Sequence, residues 1–377
     1  MSPSPLERAS PPAFAGSYDP ADVTFLLRPA SPAEAAALFE EPAAKERLIQ
    51  SGRRHYSEMI TPERAPSAAY TSIFETALTR HARRMGAEVA ALVRTLDARI
   101  TGPITLCSLV RAGVPLGVLL SRGLRALGRD VEHFGLSIVR DRGIDGVALD
   151  LVLERRPAAG LLFVDGWTGK GAITDELERA LAAREPALAP RLVVLADPAG
   201  RAWLAASEED WLIPSGILGG TVSGLISRSI LNARLSAPGD FHATVRLDHL
   251  AAHDVSRRFV DVIERAVNVA LPGAPVLPTP SPSRAATRAD ASRTIASLAA
   301  DLRIDNRNRI KPGIAEATRA VLRRAPARVL VAAEGDPDLD GLRHLAARAD
   351  VPIENRGTRL HPYRAVTIIA DAGHQSP

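Results

Sequence analysis

Two short apolar runs in this chain each end in a glycine turn and then open into a helical pattern, and this repetition is what most limits the folds open to it. The first run is 104–110, followed by Arg111-Ala112-Gly113 and a helix over 115–127. The second is 161–164, followed by Asp165-Gly166-Trp167-Thr168-Gly169-Lys170-Gly171 and a helical pattern over 172–183. Strand-length runs at 131–139 and 192–195 continue the alternation. A β-α-β rhythm of this kind predicts the α/β class, with a mostly parallel sheet covered on both faces. In such sheets ligands bind outside the C-terminal strand ends, which is where both glycine turns fall.

The second turn carries the more specific chemistry. Its small residues let the backbone approach a ligand closely, and the helix that follows presents unpaired N–H groups. Thr168 and Lys170 add a hydroxyl and a cation, and Asp165 is placed to accept hydrogen bonds from sugar hydroxyls. The first turn contributes Arg111, with Ser108 before it and Ala112 and Gly113 after it. An arginine loop facing a Thr-Gly-Lys-Gly loop would clamp a ligand bearing two phosphate groups. The turn does not have the GxxxxGK[ST] spacing, and no G-x-G-x-x-G occurs, so neither a P-loop nor a dinucleotide site is expected.

The 377 residues suffice for one large or two ordinary domains. Residues 1–20 are rich in Pro and Ser and read as a disordered tail. A short edge strand is expected at 22–28, and Ser31 with Glu34 forms a capping box for a helix reaching Phe39. Over 68–98, Ile73, Leu78, Met85, Val89, Leu92, Val93 and Leu96 recur at helical spacing. Segment 144–154 is ambiguous. Trp203 and Trp211, expected in the core, precede the glycine-rich stretch 213–225, which reads either as a pocket-lining loop or as a buried turn cluster. A helix over 255–270 closes a body spanning 21–271. Residues 272–292 have the composition of a Pro-rich linker. A small α/β module follows at 293–371, with helices at 294–302, 314–324 and 339–348 and strands at 329–332 and 365–369.

Residues 284–364 hold 16 Arg/Lys against 10 Asp/Glu, while the remainder is nearly neutral. That asymmetry fits a polyanionic partner for the C-terminal module, or simply a solvated arginine-rich surface. The only lysines are Lys45, Lys170 and Lys311. Cys107 is the single cysteine, so no intrachain disulfide can form and a reducing, cytoplasmic setting is expected. It is either a small buried residue or a nucleophile served by His133 on the neighbouring strand. No apolar run approaches the ~20 residues of a membrane span, and no His/Cys/Asp spacing marks a dedicated metal site. His55 and Tyr56 lie either near the site or on the surface. The oligomeric state is open, and a homodimer is compatible with the sequence.

The segment Phe163-Val164-Asp165 with Thr168-Gly169-Lys170-Gly171 resembles the phosphoribosyl pyrophosphate signature of type I phosphoribosyltransferases. Ser108-Leu109-Val110-Arg111-Ala112-Gly113 is similar to that family's pyrophosphate loop, in the form seen in uracil phosphoribosyltransferases. Val139-Arg140-Asp141-Arg142-Gly143 corresponds to its mobile loop, and Ser215, Gly216, Gly219 and Gly220 fall where the nucleobase or other acceptor would be recognised. The resemblance implies displacement of pyrophosphate from ribose C1, with Mg²⁺ carried in by phosphoribosyl pyrophosphate. Asp165 would hold the ribose, Thr168 to Gly171 would cradle the 5-phosphate, and Arg111 with Arg140 or Arg142 would neutralise pyrophosphate. One departure is clear: Gly166 stands where the family usually has a second acid.

In the C-terminal module, Lys311-Pro312-Gly313-Ile314-Ala315-Glu316-Ala317-Thr318-Arg319 resembles the Pelota and kink-turn RNA-binding signature, with Ala315 in place of its Asn. That implies RNA contacts through Lys311, Gly313, Glu316 and Arg319, with Arg307 and Arg309, or else a docking module of the same fold. The two segments in this order resemble a tellurium-resistance and stress-operon family also labelled cysteine protease StiP. A phosphoribosyltransferase-like enzyme acting on a base-like acceptor, joined to an RNA-binding module, is the expectation. A peptidase with Cys107 as nucleophile and a non-catalytic sensor of phosphoribosyl pyrophosphate or nucleotide are the alternatives.

Overall fold

The computed structural model describes residues 14–371. Six strands form one sheet: β1 (Thr24–Phe25), β2 (Ile104–Leu109), β3 (Val131–Leu136), β4 (Leu161–Val164), β5 (Leu192–Ala196) and β6 (Leu204–Ser207). Their order is β1-β3-β2-β4-β5-β6, and every pairing is parallel. The two strands that lead into the glycine turns, β2 and β4, are therefore neighbours at the centre, with Ser108 opposite Val164. Both are buried along their whole length, as expected of strands covered on two faces.

The long helix α1 (Ala68–Arg99) starts at Ser67, whose hydroxyl accepts from the Tyr70 N–H. It packs with α2 (Val114–Ala126) and α5 (Ser256–Ala270) on one face of the sheet. On the other face lie α3 (Gly146–Arg155) and α4 (Ala172–Ala182), with Leu149, Val152, Leu177 and Leu181 against Cys107, Leu136 and Phe163. The ambiguous segment 144–154 is thus a helix, nucleated by the Asp145 side chain accepting from the Ala148 N–H. The Ser31–Glu34 capping box forms as read, on the short helix Pro32–Ala36.

Two boundaries differ from expectation. Residues 1–13 of the expected tail lie outside the described residues, but the part that follows is packed: Tyr18 is buried and its hydroxyl donates to the Val222 carbonyl at 2.9 Å. The expected linker is also not free. The Leu277 N–H donates to Thr95 at 2.8 Å, and a helix α6 (Arg284–Asp301) begins well before residue 292. Proline composition predicted a chain without helix, whereas Ala, Arg and Thr from 284 onward are helix-compatible and have the body to pack against. Arg284 reaches the Gly200 and Arg201 carbonyls.

The C-terminal module adds a four-stranded mixed sheet of β7 (Ile310–Pro312), β8 (Pro326–Val331), β9 (Ile353–Asn355) and β10 (Ala365–Ile369), in the order β7-β10-β8-β9. Helices α7 (Ile314–Arg323) and α8 (Asp340–Arg348) pack on it. The β7 strand was not foreseen, since three residues are too few for a period-2 signal. The module does not stand apart from the body. Ile314, Ala317 and Val321 of α7 share one continuous apolar cluster with Trp167, Ile213 and Ile217 of the body. Polar pairs reinforce the seam: His81 Nε2 bonds to the Asp338 carboxylate at 2.8 Å, and the partly buried Arg324 pairs with Glu46 at 2.6 Å. Among the described residues, no helix is long and apolar enough to cross a membrane.

Candidate phosphate site

The two glycine turns meet as expected. Gly113 passes so close to β4 that a Cβ on it would lie 2.0 Å from the Val164 carbonyl oxygen. Beside this contact opens a cavity of 230 Å³, lined by Ala112 from the first turn and by Asp165 and Trp167 through Gly171 from the second. Gly171 takes φ +88° and starts α4, so the helix N-terminus faces the cavity.

The third wall comes from the C-terminal module. Lys311, Glu316, Arg319 and Arg324 line the same cavity, together with Arg140 and Tyr56. On α7 the buried residues are Ile314, Ala315, Ala317, Thr318, Ala320 and Val321, which leaves Glu316, Arg319 and Arg323 at helical spacing as a charged stripe. Gly169 and this helix nearly touch: a Cβ on Gly169 would sit 3.0 Å from Cγ of Glu316. The Tyr363 hydroxyl donates to the Gly169 carbonyl at 3.0 Å, and Lys170 Nζ donates to the Arg307 carbonyl at 2.5 Å. The Arg319 guanidinium lies 4.5 Å from the centre of the Trp167 ring.

The electrostatics are lopsided. Burial, and then the neighbouring Arg324, depress Lys311 to about 7. Burial and Arg140 bring Lys170 to about 8. Arg319 is lowered to about 9 by burial and by Arg323 and Arg111. Asp165 moves the other way, raised to about 7 by burial against the pull of the Gly166 N–H it accepts from at 2.8 Å. Burial first, and neighbouring cations second, disfavour the charged forms of these side chains, and an anion bound in the cavity would favour them again.

Several predicted site residues are used differently. Arg111 turns away from the cavity, pairs with Glu63 and donates to the Ile226 carbonyl at 2.5 Å. Burial raises Glu63, but Arg111 and Arg323 outweigh it and hold the carboxyl at about 2. Ser108 is fully buried and bound to His133 Nε2 at 2.7 Å, so its hydroxyl does not reach a ligand. Thr168 lines the cavity, but its hydroxyl donates to Asp197 at 2.6 Å, which fixes the loop. Of the two arginines in the 139–143 hairpin, Arg140 faces the cavity and Arg142 pairs outside it with Glu58 at 3.5 Å. Ser215 and Gly216 lie buried at the seam, with Gly216 against Ala315 and Trp167. Gly219 and Gly220 instead surround the Arg111–Glu63 pair, and Gly219 lines a separate cleft of 530 Å³. The four residues read as RNA contacts are turned inward: Lys311, Glu316 and Arg319 line the cavity, and Gly313 lies against Asp210.

Cys107 is fully buried in the apolar cluster under α3 and α4, and burial pushes its thiol well above the ordinary range. Side chains alternate along a strand, so Ser108 and its partner His133 occupy the opposite face, where Gly117 of α2 closes over them. His133 is held neutral, at about 4, by burial, with Nδ1 on the Asp22 carbonyl at 2.7 Å. The Cys107–His133 pair is therefore not formed. Tyr56, for which the sequence left the site and the surface open, lines the cavity, whereas Glu316 and Arg324 are not expected there from the sequence. For Glu316 the available signal is its place with Arg319 and Arg323 on an amphipathic helix. Trp211 is buried as expected, with the Arg84 guanidinium 4.5 Å from its ring centre.

A family model described as "Tellurite-like stress resistance cysteine protease StiP" matches residues 16–264. A protein of Acinetobacter baylyi (strain ATCC 33305 / BD413 / ADP1) named "Cysteine protease StiP" is 45% identical over 373 residues, covering 96% of this chain and 95% of the relative. The chain belongs to the StiP family. A PELOTA RNA binding domain model matches residues 289–371 of this StiP-family chain. Among solved structures, the hypoxanthine phosphoribosyltransferase of Trypanosoma cruzi overlaps 35% of the chain and 81% of its own length at 17% identity, with a TM-score of 0.26. A mutant of that enzyme complexed with its product IMP covers 48% of the chain and 87% of its own length at 16% identity and a TM-score of 0.27. At such scores the overlap assigns no function.

Proposed function

We propose that this StiP-family chain is an enzyme of the phosphoribosyl-transfer type, which binds phosphoribosyl pyrophosphate in the cavity after β4 and passes its ribosyl group to a small base-like acceptor. The observation that carries the reading is the convergence of Lys170, Arg140, Lys311, Arg319 and Arg324 on one glycine-rich strand–helix turn that holds a single strand-end carboxylate, Asp165. Phosphate binding needs the cations and the helix N-terminus, and a sugar needs the carboxylate. In this reading the C1–O bond to pyrophosphate breaks as a bond from C1 to the acceptor forms, and the cations take up the charge left on pyrophosphate. Asp165 accepts from ribose hydroxyls. Mg²⁺ would enter as part of the substrate and would supply further charge neutralisation at its phosphate groups.

Calorimetric titration with phosphoribosyl pyrophosphate and Mg²⁺ tests the reading. The native chain is expected to bind, and Asp165→Asn to bind about 10- to 100-fold more weakly, the loss typical of one charged hydrogen-bond acceptor. Absence of binding at millimolar ligand would remove the proposal, and pyrophosphate release over a panel of bases separates a transferase from a sensor.

The name of the Acinetobacter relative supports a second reading, a thiol peptidase. The chain's one thiol is sealed in the core, which opposes it. Cys107→Ala is accordingly expected to leave ligand binding within about twofold, and iodoacetamide is expected to leave the native protein unlabelled. Rapid labelling, or peptidase activity lost in Cys107→Ala, would replace the transferase reading with the peptidase one.

A further inference from the structure

Lys311, Glu316 and Arg319 are three charged side chains of the C-terminal module that face the phosphate cavity, and each is only partly exposed. Among the described residues, no ion pair or side-chain hydrogen bond engages any of them, and Nε of Arg319 is buried without a partner. This contrasts with the rest of the seam, where Arg324, Arg364, Asp210 and Asp338 are all paired. Charged groups brought to a partly buried wall, with only one another and the Trp167 ring to interact with, are incompletely compensated in the empty protein. They are explained if a ligand pairs with them.

We infer that helix α7 and the end of β7 form a ligand-binding wall of the phosphate cavity, with Arg319 and Lys311 receiving a phosphate or pyrophosphate group and Glu316 accepting from the ligand's hydroxyls. The inference rests on the reading above and assigns its second half. The module is then part of the site, and the face that carries these residues is closed to RNA while it is docked.

The charge pattern supports this division of labour. Arg319 stands over the Trp167 ring and near Asp165, so it spans the boundary between the glycine loop and the module. Glu316 lies within van der Waals reach of the space above Gly169, on the wall facing Asp165. No side chain at 166 could take that place without displacement, since a Cβ there would meet the Ala112 carbonyl oxygen at 3.1 Å. Two carboxylates on facing walls between cations fit a ligand that combines phosphate with hydroxyl groups. A bare polyphosphate would not need them.

The full-length chain and its Arg319→Gln, Lys311→Gln and Glu316→Gln variants can be titrated with inorganic pyrophosphate and, separately, with phosphoribosyl pyrophosphate. Arg319→Gln is expected to weaken both ligands about tenfold or more, and Lys311→Gln to do the same should the first variant fold poorly. Glu316→Gln is expected to weaken phosphoribosyl pyrophosphate alone and leave pyrophosphate unchanged. Arg359→Gln, at an exposed arginine of the same module, is expected to change neither. Unfractionated tRNA is expected to bind the Arg319→Gln and native chains alike. If native chain binds the ligands and the folded variants bind them equally well, the inference is overturned while the proposed function stands. If Arg319→Gln loses tRNA binding but keeps the ligands, α7 is an RNA surface instead. If the native chain binds neither ligand, both the proposed function and this inference fall.

Discussion

Asp210→Ala is expected to destabilise the chain by about 2–6 kcal/mol and to release the C-terminal module from the body, because two backbone N–H groups, one buried and one partly buried, would lose their acceptor at about 1–3 kcal/mol each. The Asp210 carboxylate is buried and accepts from the Ile314 N–H at 2.9 Å and from the Arg364 N–H at 2.7 Å. It belongs to the body, yet it caps the first turn of α7, a helix whose own preceding residue is Gly313 and offers no side chain. Burial raises Asp210 to about 6, while the N–H groups of Arg364 and Ile314 pull it down. The expected results are a lower denaturant midpoint, protease cleavage within 274–283, and loss of phosphoribosyl pyrophosphate binding. An unchanged midpoint with cleavage absent would mean that the apolar seam alone holds the module. Asp210→Asn keeps one acceptor oxygen and is expected to show about half the loss.

Gly113→Ala should be among the most damaging single methyl additions to the body. The added Cβ would stand 2.0 Å from the Val164 carbonyl oxygen, and the neighbour is backbone of a central strand, which cannot rotate aside. Overpacking of this kind costs about 1–3 kcal/mol or more, and here it must also push the 110–113 and 165–171 loops apart. The variant is therefore expected to lose thermal stability and ligand binding together. Alanine at Gly128, where nothing lies within 4 Å, controls for the loss of a glycine as such, although its φ of +79° carries a strain of its own. Full ligand affinity in a folded Gly113→Ala protein would show that the two loops do not act as one site.

Much of the body was legible because its signals are local. The apolar stripe of the long helix has a period that only a helix satisfies, and runs such as 161–164 are marked as strands by their length and the glycine turn that follows. That Asp165 and the glycine turn line a cavity at a helix start was readable because a strand end followed by a helix start has the same geometry wherever it occurs. Side-chain direction was not readable. Arg111 sits in the right loop, but Glu63, 48 residues earlier in the chain, draws it to the far side of the turn. Cys107 and His133 lie on adjacent strands as expected, yet they point to opposite faces, because strand register sets the face and was unknown.

The C-terminal module shows the same limit at larger scale. Its excess of arginine fits a polyanionic partner and a solvated surface equally, and its glycine-led helix resembles the Pelota signature. A charged stripe at 316, 319 and 323 is identical whether it meets RNA, solvent or a cavity in the same chain. What sets its direction is the opposite face of that helix, where Ile314, Ala317 and Val321 are buried against Trp167, Ile213 and Ile217. Burying that face fixes the helix, so that Glu316 and Arg319 face the glycine loop while Arg323 faces Glu63. The sequence by itself determined the parallel α/β body, the glycine-rich strand–helix turn and the basic module, since each follows from residues close together in the chain. The tertiary structure alone decided that turn and module share one cavity, because that depends on packing between residues about 150 positions apart.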